Sequence, residues 1–376
     1  MKLGITKLIP ENIAPQSAKS LAVFAGDTKI CSVDITKIQP NLGTPLYRFG
    51  LVADLHCGGE HDADNVRSGR FRKALEYFVT QDVRVCCAAG DLTTTGFWYS
   101  ISETDGTSKY DPCQFEEYRR ICNEFADYFP VYACCGNHES YNGYDISNTS
   151  RLDLYGDDPT LEVNTLAKLV EYTGEGLVFT KEYGNDVFIF VGQSTGTRPM
   201  SDAHLQWLYE TLETNRNKRC FVFIHPYVSS ESSGNPYGLH AIPIFDYWGN
   251  TKTTAFVNLM AHYKNTMLFH GHSHVRPDVQ LMVKHVNYSE ALGFRDFSLP
   301  SSSNSRTVTE TDGVKKLTTD GSAYCYTADV FENCIVLSAY DLLANDIVPI
   351  GQYCIDTTLV EIPAGTFTDS TGTITT

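Results

Sequence analysis

Five short motifs in this chain contain side chains that bind metal ions, and each motif follows an apolar run of strand length. In chain order they are Asp54-Leu55-His56, Gly90-Asp91, Gly136-Asn137-His138-Glu139, His225 and Gly271-His272-Ser273-His274. Carboxylate, imidazole and amide groups suit manganese, iron and zinc ions. Two cations about 3.5–4 Å apart can polarise a phosphoryl group and generate hydroxide at neutral pH. The motifs therefore predict a two-metal site for phosphoester chemistry.

The spacing within the motifs indicates how the ligands could be shared between two ions. Asp54 and His56 are two residues apart, so both can reach one metal ion from a single loop. Asp91 is the expected bridging carboxylate, because Gly90 allows the backbone to turn tightly beside it. Asn137 offers a neutral amide oxygen, which adds no negative charge that would repel a phosphate. His272 and His274, again two apart, could serve one ion each.

The apolar runs before these motifs predict strands, and helical periodicity lies between them. The runs cover residues 46–53, 83–89, 131–135, 220–224 and 266–270. Apolar residues at helical spacing predict helices over 66–80, 115–128, 161–172, 202–214 and 254–263. Beyond Pro277 the pattern changes to strands, over 279–286, 323–331, 334–341 and 347–355. The expected fold is an α/β layered sandwich of two mixed sheets flanked by helices, with catalytic groups at the carboxyl ends of strands.

Three segments are expected along the chain. Residues 1–45 are predicted to form a small β-rich appendage with strands over 21–24 and 30–35. Residues 46–356 contain all five motifs and form the main domain. Residues 357–376 are rich in threonine and glycine and are predicted to be an edge strand or a frayed tail.

Composition limits the classes of partner. The net charge is −16 and the pI is near 5.1, which disfavours a general nucleic-acid or anionic-membrane surface. A phosphate substrate remains compatible, because bound cations reverse the local field. No apolar run approaches the ~20 residues that span a bilayer, and no secretory signal is visible, so a cytoplasmic location is expected. The twelve cysteines include adjacent pairs, such as Cys86-Cys87, whose side chains should point to opposite faces of a strand.

The five motifs resemble those of the calcineurin-like metallophosphoesterase superfamily, from about Tyr47 to His274. The resemblance implies one metal ion on Asp54, His56, Asp91 and His274, and a second on Asp91, Asn137, His225 and His272. It implies that His138 binds no metal but contacts the phosphate and protonates the leaving group. It also implies the two-sheet sandwich that the strand pattern predicts, and cofactors that are two divalent or trivalent ions, with manganese, iron or zinc favoured.

Two residues depart from the superfamily pattern. The superfamily often places an acid three positions after the bridging aspartate, to orient the catalytic histidine, followed by an arginine that holds phosphate. Here those positions are Thr94 and Thr95. A phosphate clamp is therefore expected from another loop, with Arg295 and Arg198 as candidates, or the substrate carries less charge, as a diester does.

The expected function is metal-dependent hydrolysis of a small phosphomonoester or phosphodiester. The reaction would proceed by in-line attack of a metal-bridging hydroxide, with His138 as the general acid. One alternative is a structural component of a phage or another assembly that carries a phosphoesterase domain on the β appendage. Another is a nuclease of the same superfamily, which the acidic balance disfavours. The sequence leaves the substrate, the preference for monoester or diester, and the oligomeric state open.

Overall fold

The chain divides into two units, Met1–Leu46 and Tyr47–Thr376. The computed structural model describes residues 7–11, 20–25, 28–34, 42–58, 66–94, 98–101, 108–111, 113–140, 169–192, 201–228, 244–277, 288–290, 292–311 and 314–376. In the first unit, strands β1 (Lys7–Glu11), β2 (Ser20–Ala25) and β3 (Thr28–Asp34) form an antiparallel sheet in that order. Strands β2 and β3 overlap the two strands predicted over 21–24 and 30–35.

The second unit contains two six-stranded mixed sheets. The first sheet has the order β19-β18-β17-β4-β5-β8. Its strands are β4 (Tyr47–Val52), β5 (Val85–Ala89), β8 (Val131–Cys134), β17 (Tyr324–Val330), β18 (Cys334–Asp341) and β19 (Asp346–Asp356). Strands β4, β5 and β8 run parallel, while β17, β18 and β19 are antiparallel to their neighbours. The first three motifs therefore follow parallel strands and leave the sheet at one edge.

The second sheet has the order β13-β14-β12-β11-β10-β9. Its strands are β9 (Val178–Tyr183), β10 (Asp186–Val191), β11 (Arg219–Phe223), β12 (Thr266–His270), β13 (Tyr288–Ser289) and β14 (Arg295–Ser298). The four central strands are parallel, and β9 and β13 are antiparallel edges. All six residues of β10 are buried, as a strand covered on both faces requires.

Helices cover the outer face of each sheet. The described helices are α1 (Val66–Thr80), α2 (Cys113–Glu124), the single turn α3 (Asn137–Ser140), α4 (Asp202–Thr214) and α5 (Ile244–His262). Apolar residues of α1 and α2 pack with β4 and β5, and those of α4 and α5 pack with β10, β11 and β12. Helix α4 has the predicted bounds. The Ser201 side chain caps its first turn by accepting a hydrogen bond from the His204 N–H at 3.1 Å. Among the described helices, none combines the length and hydropathy needed to cross a bilayer.

A third core lies between the two sheets and is rich in phenylalanine. Phe49 of the first sheet packs edge-on against Phe188 of the second, with ring centroids 5.1 Å apart. Cys87 belongs to this core, whereas Cys86 belongs to the core under α1. The two neighbours therefore point to opposite faces of β5, as predicted. The layers are helices, sheet, sheet and helices, which is the predicted α/β sandwich.

The remaining described elements are two hairpins and the C-terminal segment. The hairpins are β6 (Trp98–Ile101) with β7 (Ser108–Asp111), and β15 (Arg306–Thr311) with β16 (Val314–Thr319). Residues 357–376 contain turns and irregular structure and no strand, and Ile362, Phe367 and Ile374 are buried in the core beside α4 and α5. The predicted strand 279–286 and most of the predicted helix 161–172 lie outside the described residues.

Candidate metal centre and active site

The loops that follow β4, β5, β8, β11 and β12 bring the predicted site residues together. Their backbones are unusual, because five of the seven predicted ligands have a positive φ: Asp54 (53°), His56 (49°), Asp91 (51°), His272 (72°) and His274 (60°). A left-handed conformation is uncommon for residues other than glycine and is strained. Such a concentration of strained residues is typical of a functional site, because local geometry is held there at the expense of backbone preference.

The first cluster contains Asp54, His56, Asp91 and His274. Their ligand atoms all lie within 4.8 Å of one another. Nε2 of His274 is 3.0 Å from Oδ1 of Asp54 and 3.3 Å from Nε2 of His56. Nε2 of His56 is 3.9 Å from Oδ2 of Asp91. This is the group of residues that the superfamily resemblance implies for one ion.

The second cluster contains Asp91, His225 and His272. Nε2 of His225 is 3.0 Å from Oδ2 of Asp91 and 3.1 Å from Nδ1 of His272. Asn137, the predicted amide ligand, is buried at the start of α3, next to His138, whose backbone N–H donates to Oδ1 of Asp91 at 3.0 Å. Asp91 therefore belongs to both clusters, which is the position a bridging carboxylate must have.

The spacing of these atoms fits metal ions. Ligands about 2.1 Å from one ion lie about 3.0 Å apart at a right angle and about 3.4 Å apart at a tetrahedral angle. The distances of 3.0–3.3 Å among His274, Asp54 and His56, and of 3.0–3.1 Å around His225, fall in that range. Nδ1 of His56 is also buried without a hydrogen-bond partner in the described part of the chain. Nε2 of His56 and Nε2 of His274 face each other at 3.3 Å, and a cation between them would explain this short distance.

Main-chain carbonyls set the tautomer of two ligand histidines. Nδ1 of His225 lies 2.7 Å from the carbonyl oxygen of Ala89, and Nδ1 of His274 lies 3.0 Å from that of Asn304. A carbonyl can only accept, so each Nδ1 carries a proton and donates it. In the neutral ring this leaves the lone pair on Nε2, the atom that faces the carboxylates. Such partners of the second nitrogen fix ring orientation in metal sites.

Burial and neighbouring charges set the protonation of the predicted ligands. Burial lowers the pKa of His56 and of His272 well below its usual value, so both rings are neutral near pH 7. Burial raises the pKa of Asp91, but the charges of His225 and His138 and a hydrogen bond with His225 together outweigh it, so the pKa of Asp91 lies well below its usual range. Burial lowers the pKa of His225, but the charges of Asp91 and Asp54 and the hydrogen bond with Asp91 together raise it to about 9, so His225 must lose a proton before it can bind a metal ion. Asp91 is therefore a carboxylate even before any cation arrives.

A buried carboxylate that the sequence did not assign supports the bridging residue. Glu139 is fully buried and accepts hydrogen bonds from the backbone N–H of Thr93 at 2.9 Å and of Gly136 at 2.8 Å. It therefore ties the loop after β5 to the loop after β8. Burial and the charge of Asp91 raise the pKa of Glu139 to about 7.

A serine-rich loop after β14 forms a second support that the sequence did not reveal. The hydroxyls of Ser301 and Ser303 both donate to the backbone carbonyl of Asp54, at 2.9 and 2.7 Å. The same loop supplies the Asn304 carbonyl to His274. The run of serines directly after Pro300 was the available signal, but nothing in it indicates which loop the hydroxyls contact.

His138 is more accessible than five of the predicted metal ligands. Its side chain is 28% exposed, against 0–12% for Asp54, His56, Asp91, His225 and His274. Nε2 of His138 is 3.8 Å from Oδ2 of Asp91. Its Nδ1 hydrogen-bonds to the backbone carbonyl of Thr94. His138 therefore lies at the rim of the metal-binding clusters, where a substrate can reach it.

Thr94, one of the two departures from the superfamily pattern, orients His138 through its main chain. Its carbonyl accepts from His138, while its own N–H donates to Oε1 of the buried Gln114 at 3.0 Å. The Thr94 hydroxyl donates to the carbonyl of His56 at 3.1 Å. Nη1 of Arg67, in the first turn of α1, donates to that hydroxyl at 3.2 Å. A carbonyl thus takes the orienting role of the absent acid.

Of the two arginines suggested as phosphate clamps, Arg295 lies away from the site. Arg295 begins β14 and pairs with Met267, at the amino end of a parallel strand, while the site lies beyond His270 and Ser298 at the opposite end. Its guanidinium donates to the carbonyl of Lys264. That suggestion was wrong for Arg295, because strand direction determines which end of β14 reaches the site. Arg198 and Thr95 lie outside the described residues.

Comparison with known proteins agrees with this geometry. The profile of the calcineurin-like phosphoesterase family matches residues 47–276. The chain belongs to this family. Family membership implies a metal-dependent hydrolase. The matched residues include every strand that a motif follows. No curated protein matches the chain.

Two solved phosphatase structures are similar to this chain at low sequence identity. A purple acid phosphatase from yellow lupin (Lupinus luteus) seeds has a TM-score of 0.51 and 14% identity, over 84% of this chain and 55% of the lupin chain. A dimetal phosphatase from Danio rerio has a TM-score of 0.49 and 15% identity, over 84% of this chain and 100% of the fish chain. At these identities the likeness to the lupin enzyme concerns the fold alone.

Proposed function

We propose that this protein is a two-metal phosphohydrolase that cleaves small phosphomonoesters or phosphodiesters. The observation that carries the proposal is the position of Asp91, which belongs to both clusters of metal-binding side chains. A carboxylate shared in this way serves two ions at once. The family supports a hydrolase, and the substrate class is the part of the proposal that goes beyond the family.

Seven side chains would hold the two ions. Asp54, His56, Asp91 and His274 would hold one, and Asp91, Asn137, His225 and His272 the other. When bound, the ions supply Lewis acidity at the phosphoryl group and an activated water as nucleophile. Imidazole and amide ligands are neutral, so the two carboxylates leave part of the cationic charge uncompensated. That local positive field can attract a phosphate to a protein whose net charge is −16.

His138 is proposed to donate a proton to the departing oxygen. In its charged form both ring nitrogens carry a proton. The Nδ1 proton stays on Nδ1 and is donated in a hydrogen bond to the Thr94 carbonyl, so the Nε2 proton is the one that can be transferred. The carbonyl fixes the ring while Nε2 faces the Asp91 side of the site. A positioned general acid of this kind contributes ~10²–10⁴-fold to a rate.

Hydrolysis of two nitrophenyl esters tests the proposal. The purified protein is stripped with a chelator and supplied in turn with Mn, Fe and Zn, then assayed with nitrophenyl phosphate and bis-nitrophenyl phosphate. We expect one or both esters to be cleaved only after metal is restored. His225→Ala should abolish cleavage and lower the metal content, because His225 contacts both Asp91 and His272.

His262→Ala is the matched control, because that histidine ends α5 and contacts the Thr366 hydroxyl, outside both clusters. It should keep both metal content and activity. Absence of hydrolysis of either ester in wild-type protein loaded with each metal would overturn the proposed function.

A further inference from the structure

An arginine outside all five motifs lies beside the residue that orients His138. Arg67 belongs to the first turn of α1 and is partly exposed. Its Nη1 donates to the Thr94 hydroxyl at 3.2 Å, and the carbonyl of the same threonine accepts from Nδ1 of His138. Thr94 therefore contacts both the Arg67 guanidinium and His138, which lies at the exposed rim of the metal-binding clusters.

The local packing holds this part of α1 against the motif loops. The Ser68 hydroxyl, next in sequence to Arg67, accepts from the backbone N–H of Gly58 at 3.2 Å. Cys57 bridges to Thr93, so the loops after β4 and β5 are joined at the same place. Burial is the main cause that lowers the pKa of His56, and the charge of Arg67 lowers it further, so the guanidinium is within electrostatic range of that ring.

The charge of the substrate decides how useful this cation would be. A phosphomonoester is a dianion near neutral pH, whereas a diester carries one negative charge. A guanidinium fork binds phosphate oxygens through charge-assisted hydrogen bonds, about twice as strong as neutral ones. The superfamily often takes this arginine from the loop after the bridging aspartate, where this chain has Thr94 and Thr95.

We propose that Arg67 binds a non-bridging oxygen of a terminal phosphate and that the enzyme therefore prefers phosphomonoesters. The cation comes from α1 instead of from the loop after β5, and Thr94 links it to His138, with its hydroxyl on Arg67 and its carbonyl on the His138 ring. This inference rests on the proposed function. Of the two alternatives that Thr94 and Thr95 leave open, it favours a phosphate clamp from another part of the chain over a diester substrate, because Arg67 supplies the missing positive charge.

The test compares nitrophenyl phosphate with bis-nitrophenyl phosphate, which share a leaving group and differ in charge. Arg67→Gln removes the charge but keeps an amide that can donate to the Thr94 hydroxyl. We expect its kcat/KM to fall on the order of 10- to 100-fold for the monoester, mainly through KM, and to change little for the diester. Inhibition by inorganic phosphate should weaken by a similar factor, with metal content unchanged.

Two variants separate substrate binding from positioning. Thr94→Val removes the hydroxyl that Arg67 contacts but keeps the carbonyl that holds His138. If Arg67 acted only by positioning Thr94, this variant would reproduce Arg67→Gln, and both esters would be affected equally. Arg72→Gln is the matched control on the same helix, since Arg72 pairs with Glu124 at 2.7 Å and should leave the ratio of the two esters unchanged.

Arg67→Lys keeps a cation and replaces Arg67→Gln in the test if Arg67→Gln does not fold. Because lysine lacks the planar guanidinium fork, the monoester preference should fall partway in this variant. An unchanged ratio of the two kcat/KM values in every folded Arg67 variant would overturn the inference while the proposed function stands. If the wild-type protein cleaved neither ester with any metal, the proposed function itself would fail first. A wild-type preference for the diester would also count against Arg67 as a monoester clamp.

Discussion

Gly90, which directly precedes the bridging Asp91, should tolerate no side chain. Its φ is +81°, in the region that favours glycine, and a Cβ added there would lie 2.6 Å from Cβ and from Nδ1 of His225. Nδ1 of His225 is itself hydrogen-bonded to the Ala89 carbonyl at 2.7 Å, so the ring cannot retreat without losing that bond. Gly90→Ala therefore perturbs a proposed ligand of the second ion as well as the backbone.

The size of the effect follows from these distances. Ordinary van der Waals contact begins at 3.4 Å, so an added Cβ at 2.6 Å from His225 requires the Cβ or the ring to move by about 0.8 Å. A misplacement of ~1 Å in a reacting group can lower a rate ~10²-fold. The left-handed backbone adds a cost of ~1–2 kcal/mol for a residue with a Cβ. We expect Gly90→Ala to lose on the order of 100-fold in kcat/KM and to lower the free energy of unfolding by at least the backbone cost.

Gly174→Ala provides the matched control. Gly174 also has a positive φ, of +74°, but a Cβ there would meet nothing within 4 Å. It should carry the backbone cost alone and keep full activity. The assays are kcat/KM with nitrophenyl phosphate in saturating metal, and urea unfolding of both variants. If Gly90→Ala retained wild-type activity, with a loss of stability no larger than that of Gly174→Ala, the close approach to His225 would have no functional role.

Two other perturbations have defined outcomes. His138→Ala should reduce turnover of an alkyl phosphoester ~10²–10⁴-fold and that of a nitrophenyl ester much less, with metal content unchanged; equal losses would indicate that His138 positions phosphate instead of protonating the leaving group. Arg219→Met should lower the free energy of unfolding by ~3–5 kcal/mol, since it leaves the buried Asp186 without the guanidinium that now contacts it at 2.7 and 3.0 Å. Urea unfolding measures this, and a loss below ~1 kcal/mol would show that Asp186 finds another partner or takes up a proton.

The clustering of side chains at the strand ends could be predicted from sequence, because two simple patterns coincide. A buried parallel strand is a continuous apolar run, and its carboxyl end is where polar chemistry begins. The run before Asp54 and the run before Asp91 each end directly at the motif, and β4 and β5 are indeed parallel neighbours. Periodicity predicted the bounds of α1 and α4 in the same way, whereas α5 begins ten residues before the predicted start at 254.

The supporting contacts could not be predicted, because they depend on main-chain atoms and on distant loops. The Thr94 carbonyl that holds His138 has no side-chain signature, and the sequence showed only that an acid is absent there. The hydroxyls of Ser301 and Ser303 contact the carbonyl of Asp54, which is more than 240 positions away. The suggestion of Arg295 failed for a related reason, since sequence distance to a motif does not say which end of a strand a residue occupies.

The number of metal ions per chain tests the central claim most directly. Wild-type protein and Asp91→Asn are purified in parallel, loaded with the same metal, and analysed for metal content and for ester hydrolysis. Asp296→Asn is the matched control, because Asp296 is also buried and lies 3.1 Å from His270, outside both clusters. We expect two ions per chain in the wild type and in Asp296→Asn, and at most one, with no hydrolysis, in Asp91→Asn. Two ions and full turnover in Asp91→Asn would contradict the assignment of Asp91 as the carboxylate shared by both ions.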